Sequence, residues 1–334
     1  MKILSFESSC DETAAAVVEK EADVITVRSN IVASQIAIHA RYGGVVPEIA
    51  SRAHCEVISG ITREALAAAN CEMDAIDAIA VTNNPGLIGA LLVGVNFAKS
   101  LAFANGKPLI AVNHIKGHIA ANYLTHPELR PPFLAFVASG GHTSFIRVDG
   151  YRDHTLLGGT RDDAMGESFD KVARVLGMPY PGGAAMDKLA YEGNAPLKFP
   201  SSAIHDDTPD LSFSGIKTAV LNHINQETQK GNPLDRANIA AGFVEAAIGG
   251  VCKKLSLVLD ANPDLRTLAL AGGVAANSHL RAALTELAKK RGIALCLPDL
   301  RYCGDNAAMI GAAACFEYEA GAFADETLNA YAYG

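Results

Sequence analysis

Hydrophobic and polar positions along this chain switch repeatedly between two periods. Short apolar runs bounded by Gly, Pro, Asn or Asp predict strands at Ile3–Ser8, Ala14–Glu19, Val24–Ala33, Ala78–Thr82, Leu109–Val112, Phe133–Ala138, Thr143–Val148, Thr267–Ala271 and Ala294–Leu297. Apolar positions recurring every three or four residues predict helices at Pro47–Ala69, Gly86–Ala104, Ile115–Leu124, Ala164–Leu176, Ala184–Glu192, Ile216–Gln229, Leu234–Leu259, Asn277–Arg291 and Asn306–Ala320. Strands alternating with helices argue for an α/β architecture.

The pattern repeats itself. An apolar strand leads into Ser9-Cys10-Asp11-Glu12-Thr13 and a returning strand, and about 130 residues later another leads into Ser139-Gly140-Gly141-His142-Thr143 and a returning strand. Downstream, the strand ending at Thr82 and the strand ending at Ala271 each run through a glycine-containing turn into a helix. The strand ending at Val112 then leads to His114, and the one ending at Leu297 leads towards Asp305. Three correspondences in one order predict duplicated βββαβαβα halves facing each other across a cleft. The expected division is residues 1–120 for the first lobe and 121–334 for the second, with a helical insertion around 160–235.

Bulk composition narrows the classes. The chain has 334 residues, 49% hydrophobic and 19% charged, which suits a large apolar core and excludes a disordered polymer. A formal charge of -8 argues against broad nonspecific binding to nucleic acid, though not against a local basic patch. Seven cysteines without a C-x-x-C pair fit reduced thiols in a cytoplasmic protein better than a disulfide framework. The N-terminus reads as a strand and not a signal peptide. The longest apolar run, 87–103, is interrupted by Gly89, Gly94, Asn96 and Lys99, so no membrane span is expected.

Candidate chemistry concentrates at a few turns. His114 and His118 are four residues apart where a strand enters a helix, a spacing that puts both imidazoles on one face within reach of one cation. Position 115 is Ile, where zinc proteases of the H-E-x-x-H type carry their general base. Asp305, just ahead of the last apolar helix, is a third candidate ligand, and two imidazoles with a carboxylate suit iron(II) or zinc with open positions. The Ser139–Thr143 turn offers glycine N–H groups and hydroxyls to an anion, although a hairpin turn would look similar. Gly272-Gly273 precedes a helix N-terminus containing Asn277; Tyr180-Pro181-Gly182-Gly183 opens another helix with Asp187 one turn in. Asp170 is placed to accept hydrogen bonds from a ribose. Neither a P-loop nor a G-x-G-x-x-G fingerprint is present, and Gly215-Ile216-Lys217-Thr218 lacks the earlier glycine at P-loop distance.

Taken together, these stretches resemble the tRNA N6-adenosine threonylcarbamoyltransferase (TsaD) family, once described as O-sialoglycoprotein endopeptidase, over nearly the whole chain. The matching segments are Glu7–Thr13, Gly43–His54, His114–His118, Ser139–Thr143, Gly166–Lys171, Tyr180–Gly183, Phe213–Thr218, Gly272–Asn277 and Cys303–Asn306. The resemblance implies the fold of the actin, Hsp70 and sugar-kinase group. It implies transfer of a threonylcarbamoyl group from threonylcarbamoyl-AMP to the N6 amine of adenosine 37 in tRNAs reading codons that begin with adenine, with AMP released.

Carried over by position, the metal ligands are His114, His118 and Asp305, with iron(II) the expected ion and zinc or magnesium the alternatives. The adenylate contacts are Val137, Ala138, Ser139, Gly140, Gly141, Asp170, Gly183, Asp187 and Asn277. Lys116, where many members have an acidic residue, and Ala184, where Pro is usual, are small departures. Asp11 is the candidate to accept or orient the amine proton, and a turn-capping Asp would look the same. Expected partners are tRNA, a paralogous subunit of the same fold (TsaB), docking through the helix at 47–69, and a small ATPase (TsaE). Arg28, His39, Arg41 and Arg52 are the expected basic patch, and Lys289-Lys290-Arg291 reads as a solvated helix end. A metalloprotease would need a general-base carboxylate beside the histidines. An Hsp70-like ATPase would need a hydrolytic carboxylate with magnesium, which Asp11 keeps open, and a scaffold paralogue would lack the ligands.

Overall fold

The computed structural model describes residues 1–204 and 207–333. His205 and Asp206, inside the insertion expected at 160–235, and Gly334 lie outside the described residues. The chain forms two compact units, Met1–Arg130 with Pro298–Gly334, and Pro131–Leu297.

The first unit is built on β1 (Lys2–Glu7), β2 (Glu12–Glu21), β3 (Val24–Ser34), β4 (Ala78–Asn84) and β5 (Leu109–Asn113), in the order β3-β2-β1-β4-β5. β1 runs antiparallel to β2, from Lys2 opposite Glu19 to Glu7 opposite Ala14, and parallel to β4, with Ile3 opposite Ala78. β2 is antiparallel to β3, and β4 is parallel to β5. The helices are α1 (Ile36–His39), α2 (Pro47–Ala68), α3 (Ile88–Ala104), α4 (His114–Thr125) and α10 (Ala307–Glu319). β1 and β4 are buried nearly throughout, as strands covered on both faces must be. One core gathers Leu4, Phe6, Val17, Ile79 and Val81 from the sheet with Ile58, Ile61, Leu91 and Val95 from α2 and α3.

The second unit carries β6 (Phe133–Ala138), β7 (Thr143–Val148), β8 (His154–Gly159), β9 (Thr267–Ala271) and β10 (Ala294–Cys296), in the order β10-β9-β6-β7-β8. β6 is antiparallel to β7 and parallel to β9, β7 is antiparallel to β8, and β9 is parallel to β10. Strand order and pairing sense are therefore the same in both sheets. Its helices are α5 (Met165–Val175), α6 (Gly183–Ala190), α7 (Ser214–Gln229), α8 (Arg236–Ala261) and α9 (Ser278–Arg291).

Two elements differ from expectation. β8 and α1 have no counterpart in the predicted pattern: β8 reads His-Thr-Leu-Leu-Gly-Gly, with Leu156 68% exposed, and α1 is a single turn. The division into units also corrects the contiguous one at residue 120. α4 runs unbroken to Thr125, and the chain from Pro298 onwards returns to the first unit. The reason is α10, whose residues Ala307–Phe316 are buried without a gap, so it needs neighbours on every side. It finds them in α4, β1 and β2, and Ser5 donates a 2.7 Å bond to the Ala307 carbonyl.

Candidate functional site

Asn113 ends β5 and caps α4, its side-chain oxygen accepting from the N–H groups of Ile115 (2.9 Å) and Lys116 (3.1 Å). The cap fixes His114 as the first helical residue, so His118 lies one turn on, with ring centroids 4.6 Å apart. α10 approaches this helix because Gly117 offers no side chain: a Cβ there would sit 2.7 Å from the Ile310 Cδ1. Asn306 caps α10 by accepting from Met309 N–H at 3.0 Å, and so holds the preceding Asp305 towards the histidines.

The Asp305 Oδ1 is 3.6 Å from His114 Nε2 and 3.2 Å from His118 Nε2, and the three donor atoms all lie within 4.8 Å of one another. Ligands at roughly 2.1 Å from one cation stand about 3.0–3.4 Å apart in octahedral or tetrahedral geometry, so two of these separations already fall near coordination distances. A second observation supports a cation. His118 is fully buried, and apart from the Asp305 carboxylate beside Nε2 its ring nitrogens have no partner among the described residues and make no hydrogen bond. Such a group is costly to bury unless it ligates something. The residues present fit a divalent ion.

His114 is oriented from behind. Its Nδ1 bonds to Glu7 Oε2 at 3.0 Å and to Ser9 Oγ at 3.2 Å. A carboxylate accepts only, so a proton sits on Nδ1, and Nε2, which faces Asp305, is the nitrogen that would ligate a cation in place of its own proton. Glu7 also accepts from Ser9 N–H (2.5 Å) and from Thr82 Oγ1 (2.6 Å). Burial works to raise the Glu7 carboxyl, but the charge and hydrogen bond of His114 outweigh it and hold the group below its usual range. Burial alone would lower His114, yet Glu7 and Asp305 push it up to about 9.

Asp11 is almost wholly buried, and its carbonyl accepts from Gln35 N–H at 2.9 Å. Its neighbour Glu12 is pushed up to about 9, first by burial and then by the charges of Asp305 and Asp11. Asp11, Glu12 and Asp305 therefore form one acidic neighbourhood beside the histidines.

In the second unit, the turn after β6 is closed by Ser139 N–H to His142 O (2.8 Å) and His142 N–H to Ser139 Oγ (3.1 Å). Val137 and Ala138 are buried at the strand end, whereas Gly140 and Gly141 are exposed with open space at their Cα positions. Ser139 O and Thr143 Oγ1 accept from Gly166 N–H (3.2 Å) and Met165 N–H (2.8 Å), which docks the start of α5 on the turn. From α5, Asp170 accepts from Gly182 N–H at 2.7 Å, just ahead of Gly183. From α6, Asp187 accepts from Ser278 N–H and Oγ (2.9 and 2.7 Å) and from His279 Nδ1 (2.6 Å). Burial tends to raise Asp187, and the His279 and Ser278 bonds overcome it, leaving the carboxyl below its usual range.

Asn277 caps α9 through Leu280 N–H at 2.8 Å. Gly272, at φ +91°, closes the circuit, since a Cβ there would be 2.4 Å from the Ala138 carbonyl oxygen. All nine residues expected to touch an adenylate thus belong to one linked set of turns. Asp170 and Asp187 already hold backbone donors there, a bracing role that the sequence reading did not give them.

The expected basic patch needs correction. His39 is fully buried, accepting from Val46 N–H (3.2 Å) and facing Gln35 (3.1 Å), because its short helix turns it inward. Arg28 and Arg52 are paired with Glu19 (3.0 Å) and Glu48 (2.9 Å), and Arg41 is exposed. Ile58 and Ile61 of α2 lie in the unit's own core. Glu7 is the residue that motif reading passed over. Its signal was a carboxylate at the end of an otherwise apolar strand, where a charge must have a partner.

The comparisons with known proteins give the family. The family model for TsaD, tRNA N6-adenosine threonylcarbamoyltransferase, matches residues 26–312. The chain belongs to that family. It is 52% identical over 331 residues to the tRNA N6-adenosine threonylcarbamoyltransferase of Clostridium botulinum (strain 657 / Type Ba4), covering 99% of this chain and 96% of that protein. The family protein of Clostridium novyi (strain NT) is 52% identical over 336 residues.

Among solved structures, HypF of T. kodakarensis superposes with a TM-score of 0.64 at 15% identity, over 98% of this chain and 49% of that one. The activator of the 2-hydroxyisocaproyl-CoA dehydratase from Clostridium difficile, with bound ADPNP, gives 0.57 at 12% identity, over 96% and 97%. At these identities the likenesses show a shared fold. Among the described residues, no helix is long and apolar enough to cross a membrane.

Proposed function

We propose that this chain transfers the threonylcarbamoyl group of threonylcarbamoyl-AMP to the N6 amine of adenosine 37 in tRNAs that read codons beginning with adenine, releasing AMP. The observation that carries this is family membership along 26–312 together with 52% identity to a named transferase over almost the whole chain. The matching strand order of the two sheets supports reading the units as duplicated halves.

In this reading His114, His118 and Asp305 hold one divalent ion, iron(II) by family resemblance, with zinc or magnesium as alternatives. When bound, that ion supplies Lewis-acid polarisation and neutralises charge as the phosphate leaves. Glu7 and Ser9 bond the His114 Nδ1, so Nε2 is the nitrogen that would be offered to the ion. The exposed N–H groups at Gly140 and Gly141 receive the phosphate, with Val137, Ala138 and Ser139 forming the strand end beneath them. Asn277 and Gly183 contact the nucleoside, while Asp170 and Asp187 hold their loops and present remaining oxygen lone pairs to it. Asp11 orients the attacking amine or takes its proton. Positioning of this kind accounts for much of the rate in a transfer between two bound groups.

The proposed setting is the cytoplasm. The proposed partners are tRNA, a paralogous subunit of the same fold (TsaB) and a small ATPase (TsaE); basic surface on the two protein partners would help a chain of net charge -8 to bind RNA. The test is incubation with threonylcarbamoyl-AMP and an unmodified tRNA decoding an A-starting codon, partners included, followed by nucleoside digestion. Appearance of threonylcarbamoyladenosine is expected; its absence with all components present overturns the assignment.

A further inference from the structure

The stretch Gly43–His54 is the longest of the sequence motifs, and the functional reading above gives it no role. Its last residue, His54, projects from α2 and is fully buried. The His54 Nε2 faces the Cys10 carbonyl at 3.0 Å, and its Nδ1 faces Thr13 Oγ1 at 2.7 Å. A carbonyl can only accept, so Nε2 carries the proton and Nδ1 is the acceptor, taking the Thr13 hydroxyl proton. Burial pushes His54 below its usual range, in keeping with a neutral ring.

The same chemistry extends backwards. Val46 N–H donates to His39 Nδ1 (3.2 Å), so His39 Nε2–H donates to Gln35 Oε1 (3.1 Å). That bond sets the Gln35 amide, whose Nε2 then points at Ala50 O and His54 Nδ1, both at 3.4 Å. The Gln35 backbone N–H donates to Asp11 O at 2.9 Å.

Three anchor points in the Ser9–Thr13 stretch are thereby fixed: the Cys10 carbonyl, the Asp11 carbonyl and the Thr13 hydroxyl. Every group in the chain has one permitted hydrogen-bonding role, so the arrangement has a single register. Within this clamp lie Asp11 and Glu12, and at its edge Ser9, which bonds His114.

We infer that His54 is a positioning residue for the reaction: through its two ring nitrogens, backed by Gln35 and His39, it sets the Ser9–Thr13 turn that presents Asp11 and steadies His114. This rests on the functional reading above only for its kinetic consequence; the structural consequence is independent of it.

The test uses the full chain with its partners and two readouts. Hydrogen exchange is followed on the peptide covering residues 9–13 in wild type, His54→Ala, His54→Gln, Thr13→Val and the double variant His54→Ala/Thr13→Val. Steady-state transfer is measured on the same set. His54→Ala is expected to speed exchange of that peptide at least tenfold while α10 and the second unit stay protected. It should lower kcat about 100-fold with KM for threonylcarbamoyl-AMP within twofold, as expected for misplacement of reacting groups. Gln retains a donor for Cys10 O, so His54→Gln should recover part of both; the double variant should be no worse than His54→Ala.

Unchanged exchange at 9–13 in His54→Ala overturns the inference, as does a double variant whose losses multiply. Should His54→Ala fail to fold, Thr13→Val and His54→Gln decide by the same readouts. Wild type inactive in transfer overturns the functional reading, and the exchange data still decide the clamp.

Discussion

Replacing Glu7 with Gln tests how the metal site is held, because it changes one charge without changing volume. The two Glu7 oxygens accept from three donors: Ser9 N–H at 2.5 Å, Thr82 Oγ1 at 2.6 Å and His114 Nδ1 at 3.0 Å. An amide has one acceptor oxygen and cannot serve both ends. If its oxygen meets Ser9 N–H, its NH2 faces His114, which must then accept at Nδ1 and carry its proton on Nε2, where the cation would bind. If its oxygen meets His114, the NH2 opposes Ser9 N–H, a donor–donor conflict costing about 1–3 kcal/mol.

Either arrangement weakens the site. Loss of a carboxylate behind a ligating histidine typically lowers metal affinity 10–100-fold, about 1.4–2.7 kcal/mol. The assay is competition of a metal-free preparation against a chelator of known affinity, for wild type and Glu7→Gln, with circular dichroism verifying that both are folded. A loss within that range is expected, with transfer falling in parallel at limiting metal. Affinity within twofold of wild type would refute the idea that Glu7 sets the His114 tautomer.

Other outcomes follow from the same geometry. His118→Ala and Asp305→Asn each remove a ligand and should leave less than one-tenth of a metal equivalent on the purified protein by elemental analysis. Their transfer rates should fall at least about 100-fold, or ~3 kcal/mol. Gly272→Ala places a Cβ against the Ala138 carbonyl at a positive φ, a strain of about 1–3 kcal/mol, and should lower Tm by a few degrees in a thermal scan. Asp187 is held below its usual value of 3.8 in the folded chain, so its bonds add stability that is present above that pH and is lost as pH falls through the folded value. In urea titrations, the stability gap between wild type and Asp187→Asn should therefore be constant at neutral pH and close as pH drops below 3.8.

The parts of the fold legible in the sequence were those in which one element decides its own burial. β1, β4 and β6 are continuous apolar runs between turn residues, and no other placement of such runs is stable in water. The His114–His118 pair was legible as well, because the change from an apolar strand to helical spacing after Val112 gives the four-residue separation its meaning. Tertiary partnership was not legible. α10 reads as an apolar helix at the end of the chain, and nothing local says that it returns to α4. His39 looked like part of a basic patch because its inward turn depends on Val46 and Gln35 lying across from it. Asp170 and Asp187 drew attention as ligands, and their bonds to Gly182, Ser278 and His279 depend on loops far away in sequence. β8 escaped because a half-exposed edge strand ending in two glycines carries little alternation.

The central claim is that two imidazoles and one carboxylate gather a single cation on which transfer depends. Its most direct test is titration of a divalent ion, iron(II) under anaerobic conditions, into the metal-free chain, with bound metal and threonylcarbamoyladenosine formation read from the same samples. Activity should rise in proportion to bound ion and level off at one equivalent per chain, and His118→Ala should show neither binding nor activity. Full transfer by the metal-free chain, or a stoichiometry and rate unchanged in His118→Ala, would contradict the account.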